Sequence, residues 1–169
     1  GVGRLYFWAG KYPEAHVALQ QAWAEIKDVP EIPFKLGTLE VFRGDGAAAI
    51  PLLTAALQLQ PQNLDAVVML ATAHLLLDNG DKAPQLLAKL PETRDKSIGY
   101  LSAMGRAHIQ AGDLAAGLAA LKQAYILHPE VPRTNREYAE ALAQAGQLPA
   151  AKDIFARYLQ QVHSPDPEN

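Results

Sequence analysis

Apolar residues along this chain fall into helix-length stripes separated by short polar breaks. From Asn63 to Asp78 the side chains Leu64, Val67, Val68, Leu70, Ala71, His74, Leu75 and Leu77 recur at helical spacing and form one wide stripe, which predicts an amphipathic helix. The turn Asp78-Asn79-Gly80-Asp81 breaks it, and a second helix is expected from about Lys82 to Leu90, ended by Pro91. The same sentence is then repeated. Ser97 to Gln110 reads as a first helix, Ala111-Gly112-Asp113 as the turn, and Leu114 to His128 as the second helix, with Pro129 at the exit.

The two-helix unit recurs at a constant step of 34 residues. Small residues mark it in two columns: Gly3, Gly37, Ala71, Gly105, Ala139, and Ala15, Ala49, Ala83, Gly117, Ala151. Gly10, Gly44, Asp78, Gly112 and Gly146 form a turn column on the same step. Larger apolar residues keep the phase in Val2, Leu36, Leu70, Met104, Tyr138 and in Leu19, Leu53, Leu87, Leu121, Phe155. The small columns have a physical cause. Two antiparallel helices joined by a tight turn approach closely only where neither side chain is bulky, so Gly105 should face Gly117 and Ala139 should face Ala151. Asp45, Asp81 and Asp113 stand where second helices open and read as N-caps. Pro13 and Pro149 fall in the first turn of a second helix, where proline is tolerated. Pro51 lies deeper, so its helix is expected to start late or to kink.

The helix–turn–helix of 34 residues, with small residues in both helices, a Gly-Asp turn and a closing proline, resembles the tetratricopeptide repeat. Gly37, Gly44-Asp45, Ala49, Leu53, Ala56-Leu57 and Pro61 carry the resemblance, as do Gly105, Gly112-Asp113, Gly117, Leu121, Ala124-Tyr125 and Pro129. It implies an all-α, right-handed superhelical solenoid. The units would be about 1–29, 30–63, 64–97, 98–131 and 132–165, with 166–169 as a tail. Two departures stand out. The bulky aromatic often found early in the first helix is replaced by Pro33, Val67, Leu101 and Asn135. Leu90-Pro91 should end the third unit's second helix early, leaving 92–97 as a polar connection. Gly1 in place of Met, a first unit short of its opening turn, and an apolar stripe on the last helix (Ile154, Phe155, Tyr158, Leu159, Val162) lead us to expect a piece of a longer protein.

Composition removes several functions. A formal net charge of -3 supplies no general basic face for nucleic acid. With no cysteine there is no disulfide framework, thiol chemistry or cysteine zinc site. The apolar runs are far shorter than the roughly 20 residues of a membrane helix, so no direct membrane insertion is expected. The glycines sit singly at turns and small contacts, and HExxH and GxSxG are absent. His74 and His108 share one repeat column with Tyr6 and are expected to pack between helices, not to hold a metal. No catalytic residue, cofactor or metal is assigned.

Surface remains as the source of function. The resemblance implies that first helices line a concave groove. The groove-facing residues are then Arg4 and Trp8, Phe34, Thr38 and Phe42, Val68 and Thr72, Arg106, and Arg133, Arg136 and Glu140. The N-terminal part is apolar and aromatic, the C-terminal part charged, which suits an amphipathic or extended peptide. Two specialised relatives do not fit: Phe34, Thr38 and Thr72 occupy the places of a carboxylate clamp, and Lys35, Met69, Ala103 and Glu137 those of an asparagine ladder. The expected function is a non-catalytic scaffold for a protein or peptide partner. By resemblance to bacterial arrays we expect it in an envelope, secretion or exopolysaccharide-export assembly, periplasmic or membrane-associated. A secretion-type chaperone and a targeting module of a larger enzyme are the alternatives. Self-association through the last helix is a further expectation.

Overall fold

A single glycine with positive φ turns this chain from one helix into the next. The computed structural model describes residues 12–77, 82–90 and 97–163. Its helices are α1 (Tyr12–Glu25), α2 (Glu31–Arg43), α3 (Gly46–Leu59), α4 (Leu64–Leu76), α5 (Lys82–Leu87), α6 (Ile98–Gln110), α7 (Leu114–Leu127), α8 (Pro132–Gln144) and α9 (Leu148–His163). No strand occurs among the described residues. The chain divides into two compact units, 1–91 and 92–169.

At three turns the backbone passes through positive φ, and Gly44 (81°), Gly112 (85°) and Gly146 (74°) do so without a Cβ penalty. The following N–H reaches back over the helix end: Asp45 to the Glu40 carbonyl at 2.9 Å, Asp113 to that of His108 at 2.8 Å, Gln147 to that of Leu142 at 2.9 Å. Asp45 and Asp113 then cap the next helix, accepting from the Ala48 and Ala116 N–H groups at 2.9 and 3.0 Å. Asp81 lies outside the described residues. Asn63 and Ser97 cap α4 and α6 in the same way.

In the first unit α1 packs on α2, α2 on α3 and α4, α3 on α4, and α4 on α5. Its core joins Val41, Ala49, Leu53, Leu70 and Ala73, with Phe34, Ile50, Leu57, Met69, Leu76 and Leu86 against it. In the second unit α6 packs on α7 and α8, α7 on α8, and α8 on α9. There Leu121, Tyr138, Ala141, Leu142 and Ala151 are the core, and the Tyr125 and Tyr138 rings stack with centroids 5.3 Å apart. The small columns are helix contacts. A Cβ on Gly37 would lie 2.7 Å from Leu53 Cγ, and one on Gly105 would lie 2.5 Å from Leu121 Cγ and 3.1 Å from the Gly117 carbonyl oxygen.

Two expectations about helix ends met different outcomes. The short α5 stops at Leu87, earlier than the expected end at Leu90, and the chain leaves it through turns at 88–90. The connection 91–96 lies outside the described residues. Pro51, by contrast, does not delay its helix: α3 begins at Gly46 and runs through it. Asp45 nucleates the helix from upstream. The carbonyl deprived of its bond belongs to Ala47, and both Ala47 and Pro51 are exposed, so water can replace the lost partner.

The close contact at Gly105 has a measurable price in stability. Gly105→Leu should destabilise by about 1–3 kcal/mol through overpacking against Leu121, seen as a drop of several degrees in Tm. Ala119→Leu adds similar bulk at an exposed place on α7 and should change stability by less than about 0.5 kcal/mol. Equal effects in thermal unfolding would show that Gly105 is not a tight contact.

Candidate functional site

The threonines of the first helices α2 and α4 bond within their own helix. Thr38 donates its hydroxyl to the Phe34 carbonyl at 2.8 Å, and Thr72 to that of Val68 at 2.9 Å. Val68 and Thr72, expected on an accessible face, are buried at 4% and 5% exposure. Helical spacing alone did not show that their stripe is wide enough to be covered on more than one side. Phe34 is half-buried against the core, whereas Phe42 stays 43% exposed. Arg4 and Trp8 lie outside the described residues.

One group in this unit escaped the sequence pattern. Glu40 occupies the repeat place of His74 and His108, and its carboxylate is buried in α2. One oxygen meets His16 Nε2 on α1, and the other accepts from Arg43 Nη1 at 3.3 Å. His16 and Glu40 are too far apart in sequence for any local spacing rule to link them.

On α6 and α8 of the second unit charge gathers on the first helices. Arg133 donates Nε to Glu137 at 2.8 Å, and Arg136 pairs with Glu140 at 3.5 Å, each across one helical turn. Glu137 is buried, and its second carboxylate oxygen has no hydrogen-bond partner. Arg106 on α6 is half-buried and makes no hydrogen bond or ion pair among the described residues. Burial pushes its guanidinium below the ordinary range; Glu137 counters this, Arg133 and Arg136 add to it, and Glu140 counters it. Ser102, one turn before Arg106, is buried with its hydroxyl unpartnered. The i,i+4 spacing of 133 with 137 and of 136 with 140 was a legible signal for the two pairs. Nothing in the sequence marked Arg106 as the arginine left without one.

The remaining chemistry is sparse. Among the described residues no three His, Asp or Glu side chains come together as metal ligands. His74 is buried with Nδ1 unpartnered, and burial followed by the Lys82 charge lowers its pKa below 6.5. His108 is half-buried, 3.9 Å from Asp113. On α9, Ala151 is buried and Ile154 packs on the core, but Leu159 and Val162 remain 51% and 43% exposed. No helix among the described residues is long and apolar enough to cross a membrane.

The sequence matches the tetratricopeptide repeat family over residues 43–107 and 108–168. No curated protein matches it. Among solved structures it is similar in fold to a MamA fragment from Desulfovibrio magneticus RS-1, with TM-score 0.69 and 19% identity over 98% of this chain and 93% of that one. A second MamA structure gives TM-score 0.65 at 18% identity, covering 95% and 94%. MamA of MSR-1 gives 0.63 at 22%, covering 95% and 97%. These likenesses concern the fold: all-α, an α-solenoid of helix–turn–helix repeats.

The state of His74 should be visible in stability against pH. Its folded pKa lies below the unfolded 6.5, so the unfolded chain takes up a proton that the folded chain resists. The contribution is full above 6.5 and is lost as pH falls through that value toward the folded pKa. His74→Leu, the residue that Leu142 supplies at this place in the last unit, should flatten the slope of unfolding free energy in that window. Denaturant titrations of both proteins across it with identical slopes would contradict the assignment.

Proposed function

We propose that this chain, which belongs to the tetratricopeptide repeat family, is a non-catalytic scaffold that holds a segment of a partner protein on its first helices. The carrying observation is how each first helix divides its residues. Leu36, Gly37 and Val41 on α2, Leu101 and Gly105 on α6, and Tyr138 and Ala139 on α8 are buried in helix packing. Phe42, Arg136 and Glu140 on the same helices are exposed, and Arg106 is half-exposed. Packing therefore does not account for those side chains.

The aromatic and the charged groups have different work. Phe42 is an apolar anchor whose burial by a partner would supply affinity. Arg133 and Arg136 are already paired with glutamates, so they steer an approaching segment more than they hold it. By resemblance to bacterial arrays alone, we place it in an envelope, secretion or exopolysaccharide-export assembly, periplasmic or membrane-associated. Cell fractionation tests that placement: recovery only in the cytoplasm would remove it and leave the scaffold reading intact.

A second reading draws on α9. Leu159, Val162 and Leu148 are exposed on it, an apolar surface suited to a second copy or a partner helix.

Phe42→Ala should weaken a partner recovered by pull-down about tenfold or more, roughly 1.4 kcal/mol, with helicity unchanged. Arg133→Ala with Arg136→Ala should act chiefly on association rate and salt dependence. If every first-helix change is silent while Leu159→Glu alone dissolves a complex or dimer in sedimentation, the first-helix reading fails and α9 replaces it.

A further inference from the structure

We propose that α1 is a detachable strap: a polar clasp between His16 and Glu40 holds it on α2, and it comes away while the rest of the first unit stays folded. This goes beyond the scaffold reading and does not depend on it. The argument compares equivalent places in the 34-residue repeat, where a second helix meets the first helix that follows it. In the second unit these places hold Leu118 on α7 and Leu142 on α8, which pack in one core. In the first unit they hold Ile50 on α3, packed on the core, and buried His74 on α4. At the α1–α2 joint they hold His16 and Glu40. Leu118 and Leu142 are driven together by leaving water, whereas water can take His16 and Glu40 back.

The clasp is built to open without stranding a charge. One oxygen of the buried Glu40 carboxylate meets His16 Nε2, and the other accepts from Arg43 Nη1 at 3.3 Å. A carboxylate only accepts, so Nε2 carries the hydrogen between them. When α1 departs, Arg43, exposed and one turn away on α2, stays with Glu40, and the carboxylate meets water instead of remaining a lone buried charge. Apolar packing on α1 is thinner than on the other second helices. Ala15, Leu19 and Ala22 are half-buried, while their equivalents Ala49, Leu53 and Ala56 on α3, and Gly117, Leu121 and Ala124 on α7, are buried. No described side chain of α1 is buried. Segments with few buried apolar contacts open first, and in a repeat array the loss of one helix leaves the contacts farther along in place. Leu36 stands at the place of Leu70, which shares a core with Ala49 and Leu53 of α3. The strap therefore covers Leu36 as α3 covers Leu70, and its opening bares that side of α2.

Hydrogen exchange of the native full chain tests this. Amides in the middle of α1 should exchange about tenfold or more faster than those in the middle of α3, because the strap opens without the unit. His16→Leu with Glu40→Leu reproduces the Leu118–Leu142 pair and should slow α1 by about tenfold, whereas either change alone should speed it, since each leaves one side of the clasp unmatched. A second readout leaves the clasp untouched. The chain has no cysteine, so a thiol introduced by Leu36→Cys or by Leu70→Cys is unique, and both places are buried. Labelling by a thiol reagent should run about tenfold or more faster at 36 than at 70, although neither place is exposed in the closed form. If α1 is a fixed part of the fold, α1 and α3 exchange at one common rate and the two thiols label alike; either result would overturn the strap. So would a double-leucine variant whose α1 exchanges no more slowly than wild type. Should the leucine variants fail to fold, wild-type exchange and the two thiols decide the matter.

Discussion

The close approach of the two helices in each hairpin is the constraint on which the rest of this structure depends. At Gly37 and Gly105 the facing leucine, Leu53 or Leu121, fills the space a side chain would have taken, and both leucines are almost fully buried. Burying one such leucine is worth about 1.5–3 kcal/mol, so each hairpin gains a large share of its stability from one contact. A single hairpin still leaves apolar surface uncovered, which the next one hides. The small residue, the leucine and the turn must therefore recur in register, and a fixed 34-residue step is the consequence. The Gly-Asp turn serves the same contact. It reverses the chain in the fewest residues, so the small positions of the two helices meet.

That packing determines what remains for binding. One side of a first helix is committed to its own hairpin and another to its neighbours, and the residues outside those contacts are released from the core. In the first unit the threonines bond to their own helix, Val68 is covered, and Phe42 is an exposed aromatic on α2. In the second unit the released positions are ionic. Arg133 and Arg136 on α8 pair with Glu137 and Glu140, and half-buried Arg106 on α6 feels the charge of the same two carboxylates.

Polar residues appear inside apolar columns where a connection has to be tied down. Asn135 takes the aromatic place in α8 and is buried; its amide donates to the Pro129 carbonyl at 3.0 Å and to Gln161 on α9 at 2.6 Å. Gln161 donates to the same Pro129 carbonyl at 2.9 Å. One backbone oxygen in the α7–α8 connection thus joins α8 to α9. In the first unit Glu40 ties α1 to α2 through His16. In each case the buried polar side chain is hydrogen-bonded, and burial without a partner would be unfavourable.

The helices, the turns, the repeat step and the small helix contacts were legible in the sequence, because each is set by residues close together in the chain or by a pattern that repeats. Gly44, Gly112 and Gly146 carry positive φ for a local reason, and Asp45 and Asp113 cap the helix that follows them. What the sequence left open was decided between elements. Whether Pro51 stops a helix depends on the cap upstream and on which side meets water. Whether Val68 and Thr72 are accessible depends on how many neighbours cover α4. Glu40 finds His16 on another helix, and Arg106 on α6 comes under the charges of Glu137 and Glu140 on α8. Spacing places a side chain on a face of its helix; burial and the choice of ionic partner are properties of several helices together, and only the tertiary structure settles them.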